Sequence, residues 1–267
     1  MRWSERQVAM LQEMGIRVWN TPSQGDAVAL AEAQPEVETG TSRPASAPAA
    51  PSPASVAEPA GVAVRGPRAT GVDAMDWPAL RDAVAGCTAC KLCSGRTQTV
   101  FGVGNPQAHW MVVGEAPGEQ EDRQGEPFVG KSGQLLDSML RALGLTRGEA
   151  EPARQVFIAN TLKCRPPGNR NPEPDELAQC EPFLIRQIEL VKPRMILAMG
   201  RFAVQSLLRS NEPVGRLRGR VHQYQGVPLV VTYHPAYLLR NPEDKARAWD
   251  DLCLAVEQLE RTTTAAA

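Results

Sequence analysis

Five of the six cysteines fall into a pattern that can hold a metal. Cys87-Thr-Ala-Cys90-Lys-Leu-Cys93 is a compact run, and Cys164 and Cys180 follow far downstream with fifteen residues between them. Four thiolates drawn from such distant segments can surround one zinc ion tetrahedrally or hold one cubane iron–sulfur cluster, and the spacing leaves both open. A bacterial ferredoxin run needs a further Cys at position 97 followed by Pro; Thr97 stands there, which argues against an electron-transfer ferredoxin. Cys253, alone in an apolar helical stretch, reads as a buried thiol.

A second group of residues has the makings of a pocket for a planar ligand. Gly114-Glu115-Ala116-Pro117-Gly118-Glu119-Gln120-Glu121-Asp122 is followed by Gly125-Glu126-Pro127-Phe128-Val129-Gly130. Gly and Pro let the backbone approach a ligand closely, while the carboxylates, unless they only solvate a turn, rule against a phosphate cradle. Phe128 is either a hydrophobic plug or a platform for stacking. His234, with Pro235 after it, can serve as an electrophile or general acid on a rigid turn, or be purely structural. What favours the first is Leu238-Leu239-Arg240, because two apolar residues and a cation can fill the gap left when a base leaves a nucleic-acid stack. Asn160 can present a carbonyl and an amide to a pyrimidine edge, which tells uracil from cytosine by their reversed donor and acceptor. Arg165 and Arg170, with Arg216, Arg218 and Arg220, supply a local basic face for phosphates or are ordinary surface charge.

The elements that must position these groups lie in the second part of the chain. The 267 residues carry a net charge of −1, with 42% hydrophobic and 5% aromatic residues, figures that permit one ordinary domain plus a tail or two small domains. From Asp73 onward 23 Lys and Arg balance 23 Asp and Glu, so any nucleic-acid contact must be local. No apolar run is long enough to span a membrane and the first twenty residues lack a signal-peptide core, which predicts a cytosolic protein with reduced thiols. Residues 20–72 hold eight Pro, thirteen Ala, one Leu and no aromatic, and read as a disordered linker. Before it, Val8, Leu11, Met14 and Ile16 share one face of a short amphipathic helix in residues 4–19, a possible docking peptide for a protein partner. Strands are expected at 110–113, 156–159, 195–198 and 227–232, and helices at 131–143, 174–191, 202–208 and 243–260. That alternation predicts a three-layer α/β/α sandwich around a short, mainly parallel four-stranded sheet within residues 73–262, with a disordered tail at 263–267. Ligands of such sheets bind beyond the carboxyl ends of the strands, where the loops carry the residues singled out above.

Taken together, the blocks CTACKLC, VFGVGNP, MVVGEAPGEQEDRQGEPFVGKSGQLL, IANTLKCRPPGNRNPEPDE and TYHPAYLLRNP resemble the iron–sulfur uracil-DNA glycosylases, family 4 of their superfamily, over roughly Trp77 to Leu259. The resemblance implies a 4Fe-4S cluster on Cys87, Cys90, Cys164 and Cys180, and a uracil pocket made by the Gly114-Glu115-Ala116 backbone, Phe128, Asn160 and His234. Better known branches carry a catalytic Asp where Ala116 stands, so Glu115 or Glu121 is expected to act on the sugar or the water, with His234 stabilising the departing base. Arg165, Arg170, Arg218, Leu238, Leu239 and Arg240 are the expected DNA contacts of a monomeric, cytoplasmic and nucleoid-associated repair enzyme acting on uracil in single- or double-stranded DNA. Competing readings are a zinc or iron–sulfur nucleic-acid adaptor and a glycosylase for another deaminated base such as hypoxanthine.

Overall fold

The apolar runs form strands because β-branched and aromatic residues suit a pleated surface buried on both sides. In the computed structural model, which describes residues 66–265 and Glu13, they become β2 (Trp110–Gly114), β3 (Val156–Asn160), β4 (Met195–Met199) and β6 (Val227–Thr232), all parallel. All of the expected docking helix except Glu13, and most of the linker, lie outside the described residues.

Two antiparallel edges extend the sheet: β1 (Val103–Gly104) on β3 and β5 (Val221–Tyr224) on β6. Among the described residues it therefore has six strands rather than four, in the order β1-β3-β2-β4-β6-β5. Neither edge has an apolar run to betray it, since β1 is two residues long and β5 reads Val-His-Gln-Tyr. A two-residue turn joins β5 to β6, with φ of 47° at Gln225 and 84° at Gly226, the backbone hand that matches strand twist in tight hairpins.

Register aligns Met111, Phe157, Ile196 and Leu229 across the parallel strands, with Val113, Ala159, Ala198 and Val231 two residues on. This face packs on α1 (Trp77–Ala85) through Leu80 and Val84, on α4 (Pro174–Val191) through Phe183, Leu184 and Ile188, and on α5 (Arg201–Leu208) through Ala203, Val204 and Leu207. The shorter helices are α2 (Glu119–Gln124), α3 (Lys131–Ala142), α6 (Val214–Leu217) and α7 (Pro235–Leu238). α8 (Lys245–Ala265) packs along β6 and buries Ala248, Trp249, Leu252 and Ala255. Asp76 starts α1 by accepting from the Ala79 N–H at 3.0 Å, and a Glu173/Glu176 capping box with Pro174 starts α4.

Both expected domain limits move outward. Val72 is already part of the core, so the folded unit begins before residue 73, and α8 continues to Ala265 where a disordered tail was expected. Among the described residues no helix is long and apolar enough to cross a membrane.

Candidate active site

The carboxyl ends of the parallel strands converge on a cavity of about 560 Å³. β2 leads into Glu115 and Ala116, β4 into Arg201, and β6 into Tyr233 and His234; Arg170 and Arg240 close its sides.

Phe128 and Asn160 do not line that cavity but form a buried layer against it. The rings of Phe128 and His234 stack with centroids 5.2 Å apart at 25°. A base sandwiched between two rings needs about 7 Å, twice a carbon–carbon contact, so a planar ligand meets Phe128 on its other face or after the rings part. Gly114 sits under both groups: a Cβ there would fall 2.5 Å from Phe128 Cζ and closer still to Asn160 Oδ1, so only glycine lets the three meet. Asn160 is 2% exposed, and its Oδ1 has no hydrogen-bond partner. An orphaned acceptor in a buried site is costly unless a ligand supplies the donor.

Phe128 has a left-handed backbone, φ 55°, which a bulky residue adopts only when its surroundings hold it there. Gly133 packs directly on its carbonyl, where a Cβ could not fit. Glu121 spends both carboxylate oxygens on the same segment: Oε1 accepts from the N–H groups of Val129 (3.0 Å) and Gly130 (3.4 Å), and Oε2 from Gly118 (3.0 Å). Arg147 donates to the Pro127 carbonyl and pairs with Asp137. Glu121 therefore builds the Phe128 loop and does not line the cavity, whereas Glu115 does.

The Glu115 carboxylate accepts from the Phe202 N–H at 3.2 Å, at the N-terminus of α5. Burial raises its pKa above the ordinary carboxylate value, opposed by the Phe202 and Arg201 N–H groups and by the Arg201 and Arg240 cations. His234 is the N-cap of α7, and its Nδ1 accepts from the Ala236 N–H at 3.1 Å, which leaves the ring proton on Nε2. Burial, then the Arg240 charge, lowers its pKa to about 4. A neutral imidazole with a free N–H donor results, suited to a developing negative charge.

Of the expected DNA contacts, Leu239 and Arg240 are exposed, Leu239 by 45%. Leu238 is 1% exposed and belongs to the interior, so of the two leucines only Leu239 faces solvent. Arg218 is likewise inward: it pairs with fully buried Asp251 at 3.0 Å and donates to the Arg247 carbonyl, so it braces α8 and offers no free guanidinium to phosphate. Arg170 makes a bidentate pair with buried Glu176 while lining the cavity, and Arg165 bonds Asn169 Oδ1 at 2.8 Å. Sequence reasoning passed over Arg201 and the stacked pair Tyr233 and Tyr237, 5.0 Å apart, which line the cavity. Arg201 follows Gly200 at the end of β4, and that position was its only signal.

All five patterned cysteines, Cys87, Cys90, Cys93, Cys164 and Cys180, line one second cavity together with Arg96 and Lys163. Arg96 donates to Cys164 Sγ at 3.1 Å and to the Cys87 carbonyl at 2.8 Å, and the Lys163 N–H to Cys180 Sγ at 3.2 Å. Burial pushes the Cys90 thiol up, Cys164 to about 11 and Cys180 to about 12, so these groups shed their protons only to a cation that replaces them. Among the described residues no three His, Cys, Asp or Glu side chains close on one point as a single ion requires. An all-sulfur donor set spread around a cavity, with N–H groups aimed at its sulfurs, fits a multi-iron cluster better than one zinc ion.

Comparison with known proteins agrees with this geometry. The model of the uracil DNA glycosylase superfamily matches residues 101–253. The chain is similar to the Type-4 uracil-DNA glycosylase of Pyrobaculum aerophilum, 41% identical over 190 residues that cover 67% of this chain and 93% of that protein. It is similar to the Type-4 enzyme of Sulfurisphaera tokodaii, 43% identical over 172 residues, 61% of this chain and 76% of the relative. The Type-5 uracil-DNA glycosylase of Pyrobaculum aerophilum is 34% identical over 146 residues, 51% of this chain and 64% of that protein.

Proposed function

This chain belongs to the Type-4 uracil-DNA glycosylases of the uracil DNA glycosylase superfamily, and from that premise we propose how its own residues excise uracil. The reaction hydrolyses the N-glycosidic bond of deoxyuridine in DNA, releasing uracil and leaving an abasic site for repair.

A base inside a duplex is out of reach, so the nucleotide rotates into the cavity while exposed Leu239 enters the vacated space and exposed Arg240 faces the backbone; Arg170, tied to Glu176, lines the cavity wall. Uracil packs on Phe128. The orphaned Asn160 Oδ1 accepts from uracil N3–H, and the amide donates to O4. Cytosine has no proton at N3 and would leave that buried acceptor facing a lone pair. This is the observation that carries the base assignment.

As the C1′–N1 bond breaks, its electron pair moves onto the uracil and the sugar becomes cationic. His234 Nε2–H donates to O2 and stabilises the anion by about 3 kcal/mol, on the scale of an oxyanion-hole donor. Glu115 is the carboxylate on the cavity side; it offsets the sugar charge and takes a proton from the water that attacks C1′. Ala116 contributes backbone alone. Cys87, Cys90, Cys164 and Cys180, which line one cavity, would hold a 4Fe-4S cluster, with Cys93 as a neighbour. When bound, the cluster supplies a covalent staple between the first cysteine loop and the segment after Asn160. The enzyme works as a cytoplasmic, nucleoid-associated monomer, with residues 4–19 available to a protein partner.

Matched oligonucleotides carrying uracil, thymine or hypoxanthine, incubated with the protein and cleaved at abasic sites by alkali, test this reading. Breakage is expected at uracil alone. Breakage at hypoxanthine alone would transfer the pocket to another base, and binding without breakage would make the protein an adaptor.

A further inference from the structure

Lys163 is 1% exposed, and burial lowers its proton affinity, with only the sulfurs of Cys180 and Cys164 acting against that. Its ammonium donates to the Asn160 carbonyl and to Gln187 Oε1, both at 2.7 Å, and Gln187 donates onward to the Phe101 carbonyl at 2.9 Å. Two neutral oxygens satisfy hydrogen bonds but do not neutralise a charge. A cation held out of water is strongly unfavourable unless an anion stands beside it.

Lys163 is one of the residues that line the cysteine cavity, and its backbone N–H donates to Cys180 Sγ at 3.2 Å. As thiols, the neighbouring sulfurs offer no charge. As ligands of a 4Fe-4S cluster they are thiolates, and four thiolates around a doubly positive core carry two net negative charges. Arg96, which reaches Cys164 Sγ at 3.1 Å, is a second cation on the same cavity. Two positive side chains therefore stand against two negative charges.

We propose that Lys163 is a positioning residue that joins the two sites: its ammonium is the buried counter-ion of the cysteine-held cluster and also fixes the carbonyl of Asn160, the residue that reads the base. This rests on the cluster reading above. Electrostatics gives it a direction, because one-electron reduction adds a third negative charge that a nearby cation favours. Removing the ammonium loosens the iron and makes the cluster harder to reduce.

The test uses full-length holoprotein purified without oxygen. Wild type that binds no iron would overturn the cluster reading and this proposal with it; once wild type is shown to hold iron, the remaining outcomes bear on Lys163 alone. Lys163→Met and Lys163→Gln are expected to lose iron to a chelator about 10- to 100-fold faster, the usual range for groups that support metal ligands. Their midpoint potentials should move to more negative values, and KM for a uracil oligonucleotide should rise more than kcat falls. Lys163→Arg, which keeps the charge, should restore the potential. Neutral variants with wild-type potential and iron retention overturn the proposal whatever their activity. If neither neutral variant folds, Lys163→Arg decides: an iron-loaded protein with wild-type potential supports a need for charge, and failure of this variant too means that shape governs the site and the proposal falls.

Discussion

Replacing Glu121 by Gln keeps the shape of the side chain and removes one acceptor from a carboxylate that serves three backbone N–H groups. With the amide oxygen in the Oε1 position, Val129 and Gly130 stay bonded, and the new NH2 faces the Gly118 N–H. The loss is one charge-assisted hydrogen bond plus the desolvation of an unmet donor, about 2–3 kcal/mol. For a folded unit of this size that is a fall in Tm of roughly 4–12 °C. Because Glu121 holds the Phe128 loop and does not line the cavity, KM should rise as the stacking ring loosens, while single-turnover excision well below Tm falls less than about tenfold. Glu115→Gln should behave oppositely, melting near wild type and losing about 10²- to 10⁴-fold in rate, the worth of a general base. Differential scanning fluorimetry beside rapid-quench kinetics measures both. A Glu121→Gln protein that melts like wild type and excises more than a hundredfold slower would refute the assignment and make Glu121 the reacting carboxylate.

Gly114→Ala places a methyl against Phe128 and Asn160, and a displacement of about 1 Å there should cost about 10² in uracil excision; a variant within threefold of wild type would show that the contact is slack. His234 has a folded pKa near 4 against an ordinary 6.5, so the unfolded chain binds a proton that the folded one refuses, and stability should fall as pH drops from about 6.5 to 4. His234→Gln should remove that part of the pH slope of Tm and lower kcat by about 10²- to 10³-fold; equal slopes would mean that the ring is not held neutral. Leu239→Ala should weaken excision from duplex more than from single-stranded DNA with Tm unchanged, while Leu238→Ala should lower stability by about 2–5 kcal/mol, and the reverse pattern would exchange their roles.

The parts of the site legible in the sequence are those carried by adjacent residues. Gly114-Glu115, Phe128 beside Pro127, and His234-Pro235 declare themselves because strand ends, left-handed turns and helix caps are built from neighbours. What stayed hidden depends on distant partners. Arg218 reads as a free cation until Asp251, thirty-three positions on, is seen to neutralise it. Leu238 and Leu239 are alike in type, and the one-turn α7 decides which is buried. Arg96 and Lys163 lack any motif of their own and acquire meaning only when sulfurs from three segments meet beside them. The strands on the edges escaped for a different reason: they are short and half exposed, so no hydrophobic signal marks them.

The left-handed backbone of Phe128 has a consequence for anyone reshaping this protein. A segment kept in a sparsely populated conformation would gain stability by relaxing, so substitutions at Gly133 or Glu121 that let it relax could be partly repaid in the folded state even as the pocket is lost. A variant that melts only a little below wild type can therefore already have lost its discrimination between bases. Libraries built for thermal hardiness should therefore hold these two positions and Gly114 constant and vary the helical exterior instead.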